Sequence, residues 1–275
     1  MRATILVGID ASTPSRSAIA WSVSRAATLG AAVELIHVVD SDVTDSLGPV
    51  ARARATQFLE TERHYALQLG GDVPIATTLA EGCPPDVLAE RSSAYSLLVV
   101  GTHKTGFIYG RAFGSRFLAL AWRAGCDMAF IPDQGGYDRH GIVAGVEKSP
   151  TGDAIIRCAA AEAVRASEEL LLVASGGSGM DAPGGGKEMT QRAEMVADAL
   201  ALARAAEPQV RVRSTSADQP SPEALIEAST SASLLVIGRR RSAHAISGLR
   251  VGNHDVLINM SSPVLVVLDD SEERA

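Results

Sequence analysis

Ser96-Leu97-Leu98-Val99-Val100-Gly101 and Ser233-Leu234-Leu235-Val236-Ile237-Gly238 are near copies of each other, 137 residues apart. Each holds four consecutive apolar residues with no polar alternation. A strand of that kind is covered on both faces, which means a parallel sheet between helix layers. The closing glycine allows a sharp turn at the strand end.

The same spacing recurs outward from this pair. Ile5-Leu6-Val7-Gly8-Ile9-Asp10 matches Ile142-Val143-Ala144-Gly145-Val146-Glu147, and Pro85-Asp86-Val87-Leu88 matches Pro222-Glu223-Ala224-Leu225, both 137 apart. Val33 to Asp40 corresponds to Glu168 to Ser175 at a spacing of 135. Four matches in one order indicate duplication of a unit large enough to be a domain. The length of 275 residues agrees, at about 150 residues per domain. Asp133-Gln134-Gly135-Gly136-Tyr137-Asp138 reads as the linker. The expected domains are therefore 1–133 and 140–270.

In the first unit the apolar runs predict strands at Ile5–Ile9, Val33–Val39, Val73–Thr78, Leu97–Val100 and Met128–Ile131. Ser12-Thr13-Pro14 opens a helix that Gly30 stops. A second helix runs from about Ala51 to Leu69, with Phe58, Tyr65 and Leu69 expected inward. Pro84-Pro85 opens a short helix ending near Ala94, and another runs from Ser115 to about Arg123. The second unit predicts strands near 142–146, 169–174, 209–214, 234–237 and 264–268. The fold class is α/β: two tandem doubly wound, Rossmann-like domains with five-stranded parallel sheets.

Composition excludes several functions. The net charge of -7 offers no basic stripe for nucleic acid. No apolar run reaches the ~18 residues of a membrane helix, and Ile5–Ile9 is too short for a signal peptide, so the expected location is the cytoplasm. Cys83, Cys126 and Cys158 are far apart and suggest neither disulfide nor zinc site. There is no G-x-S-x-G elbow, HExxH or Walker motif. With carboxylates scattered, no catalytic residue is assigned.

Ligands in doubly wound folds bind beyond the carboxyl ends of the strands. Asp10 follows strand 1, and His37-Val38-Val39-Asp40 closes strand 2. Gly101-Thr102-His103-Lys104 follows strand 4, and nine residues later Gly114-Ser115 opens a helix, where free N–H groups favour an anion. Glycine, two residues, glycine, nine residues, then glycine and serine or threonine is the nucleotide signature of the universal stress proteins. The first unit resembles it through Gly101, position 104, Gly114 and Ser115, together with Asp10 and the His37–Asp40 segment.

This resemblance implies a nucleotide-binding stress or regulatory protein. Its expected site is Gly8, Asp10, Val38, Gly101, Lys104, Gly114 and Ser115, with ATP, with or without Mg, in the first domain only. A main-chain group of Val38 would meet adenine. Lys104 stands where the family has glycine, and as a cation beside the phosphates it would act as a clamp. The second unit departs further. Glu147 replaces the aspartate, Leu172-Val173-Ala174-Ser175 replaces the His-Val segment, and the loop reads Gly238-Arg239-Arg240-Arg241 with Gly252-Asn253 one residue late. Its site reads as altered or lost, with the arginines as a solvated charge run or a different anion site. His37 reads as a satisfied core histidine. An interaction scaffold without nucleotide and a slow ATPase are the competing functions. Family dimers imply an intrachain pseudo-dimer through Val264–Val267 and Met128–Ile131, and a homodimer remains open.

Overall fold

The computed structural model describes residues 3–40, 48–102, 120–133, 138–175, 185–219, 221–240 and 251–269. The chain divides into two compact units, residues 1–135 and 136–275.

Unit 1 contains β1 (Thr4–Gly8), α1 (Thr13–Leu29), β2 (Ala32–Val39), α2 (Pro49–Leu69), β3 (Ile75–Glu81), α3 (Pro84–Ser92), β4 (Leu97–Thr102) and β5 (Asp127–Pro132). Its strands lie in the order β3-β2-β1-β4-β5, all parallel. The order reverses between β1 and β4, so the crevice of this sheet opens beyond Gly8 and Gly101. Leu6, Val7, Leu98, Val99, Met128 and Ala129 are fully buried in the central strands. Burying each of the larger side chains contributes about 1.5–3 kcal/mol.

Unit 2 repeats this plan with β6 (Ile142–Gly145), α4 (Pro150–Ala166), β7 (Glu169–Ser175), α5 (Gly185–Ala206), β8 (Arg211–Ala217), α6 (Ser221–Ala228), β9 (Leu234–Arg240), α7 (Val251–Asn259) and β10 (Val264–Asp269). The strand order is β8-β7-β6-β9-β10, again parallel. Among the described residues, no helix is long and apolar enough to cross a membrane.

Helix starts follow the expected chemistry. Ser12 caps α1, its hydroxyl accepting from Ser15 N, and Ser149 caps α4 by accepting from Gly152 N. Their ends differ. α1 stops at Gly30 in the left-handed region (φ 62), whereas the corresponding stop of α4 is Ser167 at φ 59. A Cβ is disfavoured in that region. Ser167→Gly should therefore stabilise unit 2 by about 0.5–1 kcal/mol, and a denaturant midpoint that does not rise would contradict this.

Two expectations are corrected. Leu69 does not face inward but is 45% exposed; the buried face of α2 is Ala55, Leu59, Glu62 and Ala66, one turn-phase away. Glu62 is buried because Arg16 of α1 reaches over it, donating from Nε (3.2 Å) and Nη2 (2.8 Å). The third strand starts at Ile75, not Val73, because Val73 N closes a turn onto Gly70 O and Pro74 has no N–H for a ladder.

On the sheet, Glu34 of β2 is held by Thr78 Oγ1 (2.7 Å) and Tyr95 Oη (2.9 Å). Partial burial, then the bond to Glu34 and its charge, push the Tyr95 phenol up to about 12. An unfolded tyrosine titrates near 10. The folded state thus holds its proton longer, and this contribution is complete below pH ~10 and lost as pH rises toward ~12. Tyr95→Phe should remove that alkaline loss of stability, read by denaturation at several pH values alongside phenolate absorbance.

Candidate functional site

The crevice of unit 1 is built from three adjacent strand ends. Beyond β1, the Asp10 carboxylate accepts from Ser12 N (2.9 Å) and from the Ser12 hydroxyl, while Asp10 N donates to Ser15 Oγ (3.1 Å). Asp10 is therefore not the cap of α1; it braces the serine that is. The carboxylate remains exposed at the strand end.

Beyond β4 stands Gly101. A Cβ there would lie 2.4 Å from the Pro14 carbonyl carbon and oxygen and 2.6 Å from Ser15 N. The residue is small because the first turn of α1 rests directly on the end of β4. Gly8 is less crowded, its would-be Cβ 3.1 Å from Leu88 Cδ1 and 3.3 Å from Val100 Cγ1, both side-chain atoms. Both glycines thus have packing reasons that their sequence positions did not reveal.

Beyond β1's last pair, Gly8 with Ile36, β2 continues alone along that side. Ile9 N still donates to Ile36 O (2.9 Å). Peptide groups alternate sides along a strand, so those of Val38 face the same side as those of Ile36, past the end of β1. The ring of His37 reaches back, its Nδ1 3.0 Å from Ile9 O. The ring also meets Phe58 edge to face, centroids 4.9 Å apart. His37 is thus half-buried rather than in the core, with Nδ1 satisfied by Ile9 O.

His37 and Val39, two residues apart, share one face of the sheet. With Pro49, Val50, Ala55 and Phe58 they line a cavity of about 690 Å³ under the start of α2. Ala11, Gly48, Ala51 and Arg54 complete its described walls. This volume and apolar character suit a flat aromatic ring with a polar tail, and the one charged wall residue among those described, Arg54, is a cation. No sequence signal singled out Phe58 or Arg54 for this role, since α2 contacts the strand end only in three dimensions. Lys104, Gly114 and Ser115 lie outside the described residues.

A universal stress protein family model matches residues 1–132. That match takes in nearly the whole of unit 1. A universal stress protein of Mycobacterium tuberculosis is 28% identical over 169 residues, covering 58% of this chain and 60% of that protein. The chain thus matches about three-fifths of the length of that relative. A universal stress protein from Archaeoglobus fulgidus has the same fold, with a TM-score of 0.70 at 14% identity over 96% of this chain and 98% of that one. The Archaeoglobus fulgidus universal stress protein in complex with dAMP matches 47% of this chain and 98% of its own, with 19% identity and a TM-score of 0.39.

The second unit keeps the frame of the first and changes the walls. Glu147 accepts from the Ser149 hydroxyl (2.5 Å), as Asp10 does from Ser12. Where unit 1 has Ser15, unit 2 has Gly152, and a Cβ there would be 2.2 Å from Glu147 O. The backbone itself occupies the place of the Ser15 side chain, so the turn is tighter. Its cavity, about 600 Å³, is lined by Glu147, Asp153 and Asp198 against one lysine, Lys148. The apolar side is Val146, Ile156, Met195 and Leu202. Arg239 is not part of a solvated run: it is buried in β9 opposite Leu268, while Arg240 is exposed. Arg241 lies outside the described residues. Among the described residues, no group of three or more His, Cys, Asp or Glu side chains is placed to hold a metal ion.

Proposed function

We propose that this chain is an adenine-nucleotide-binding regulatory protein of the stress response, acting in the cytoplasm, with ATP in unit 1 and none in unit 2. The observation that carries this reading is the contrast between the two cavities. Among the described residues, that of unit 1 is walled by Val39, Val50 and Phe58 with one arginine and no carboxylate, whereas that of unit 2 carries three carboxylates against one lysine. A triphosphate brings as many as four negative charges. Asp153 and Asp198 are exposed and Glu147 half-buried, so each repels a nearby phosphate charge by about 1 kcal/mol in water, and together they make the second cavity disfavour what the first admits.

In this reading the base enters the cavity beside His37 and Val39, and the phosphates run toward Gly101 and the Lys104–Ser115 segment. The main chain of Val38 meets the base, Asp10, Gly8, Gly114 and Ser115 are the residues proposed to contact the rest of the nucleotide, and any Mg is carried by the phosphates. Calorimetric titration of the full chain with ATP should give about one site per chain, since each cavity has room for one nucleotide. Two equal sites, or none, would overturn the proposal.

A further inference from the structure

We infer that His37 reads the 6-amino group of the base, and so selects adenine over other purines; this rests on the nucleotide reading of unit 1. Nδ1 of His37 lies 3.0 Å from the carbonyl oxygen of Ile9. A carbonyl can only accept, so Nδ1 carries the proton. In the neutral ring the other nitrogen, Nε2, is then an acceptor. Packing fixes this arrangement from both sides: Ile9 O holds one edge, and Phe58 meets the ring edge to face at 4.9 Å.

His37 belongs to the wall of the unit 1 cavity. Its neighbours there offer no competing side-chain acceptor among the described residues. Arg54 has donors only, and the remaining walls are Ala, Val, Pro, Gly and Phe. A half-buried acceptor in an apolar wall favours a ligand that brings a donor to it over one that does not. Adenine presents N–H at position 6. Guanine and hypoxanthine present a carbonyl oxygen there, which would face Nε2 acceptor to acceptor. Unsubstituted purine presents only C–H.

The test uses the full chain and four probes: ATP, GTP, ITP and the triphosphate of unsubstituted purine riboside. The wild type should bind ATP about three- to tenfold more tightly than the unsubstituted purine triphosphate, the scale of one net hydrogen bond, and GTP and ITP more weakly still. In His37→Phe, which keeps a ring against Phe58, the preference for ATP should collapse while affinity for the unsubstituted analogue is retained. The wild type gives an independent measurement: with ¹⁵N-histidine, the Nε2 resonance of His37 should move on adding ATP and stay in place with the unsubstituted analogue. That reading does not depend on the variant folding. If ATP and the unsubstituted analogue bind the wild type equally, or the preference survives in His37→Phe, the inference about His37 falls and nucleotide binding stands. If none of the four binds, the nucleotide reading falls and this inference with it.

Discussion

Ala51→Trp should weaken ATP binding by roughly tenfold or more without unfolding the chain. Ala51 is half-buried on α2 and lines the unit 1 cavity. An indole placed there occupies space that the base needs, and a pocket filled by its own side chain has no room for a ring. The helix itself tolerates the change, since Trp costs at most about 0.7 kcal/mol relative to Ala in helix propensity. The matched control is Met195→Trp, which narrows the unit 2 cavity and should leave ATP affinity as it was. Calorimetry with a circular-dichroism melt for each variant separates occlusion from unfolding. Undiminished affinity in a folded Ala51→Trp chain would place the base elsewhere.

Gly101→Ala should destabilise unit 1 by about 3 kcal/mol, near the upper end for overpacking, because the atoms in its way are backbone. The new Cβ would stand 2.4 Å from the Pro14 carbonyl, in the first turn of a helix that cannot move without lifting off β4. The corresponding change in unit 2, Gly238→Ala, meets Thr151 Cγ2 at 2.6 Å and Ile155 Cδ1 and Cγ1 at 2.8 Å; these are buried, β-branched side chains, stiff but still easier to displace than a helix backbone. It should cost less, about 1–2 kcal/mol. Chemical denaturation of both variants gives the order. Equal costs would mean that the start of α1 yields as readily as a methyl group.

This pair of glycines also bears on how the site is recognised. Gly238 persists in the unit whose cavity has turned acidic. A glycine at the end of the fourth strand of each unit is thus required by the helix packed on it, whether or not a nucleotide follows. The residues that separate the two units chemically are on the cavity walls: Phe58, Val39 and Arg54 on one side, Glu147, Asp153 and Asp198 on the other.

Much of this was legible in the residues. The runs Leu97–Val100 and Leu234–Ile237, apolar without alternation, state that both faces of their strands are buried, and that is a local property. The 137-residue spacing states the duplication. Ser12 and Gly30 mark the ends of α1 because a cap acts on groups within one turn of itself. The third strand was misplaced because its start depends on Val73 turning onto Gly70. The inward face of α2 was misread at Leu69 because Arg16, from another helix, covers Glu62 and sets the helix phase. The amino-acid sequence by itself determined the parallel doubly wound class, the two units and the strand ends where a ligand would sit, since these follow from short-range patterns of burial and turning. Only the tertiary structure decided that Gly101 yields to the backbone of α1, that His37 turns its proton to Ile9, and that α2 brings Phe58 and Arg54 to the end of β2. Those contacts join segments tens of residues apart, and no local pattern encodes which side chains a folded chain will set against each other.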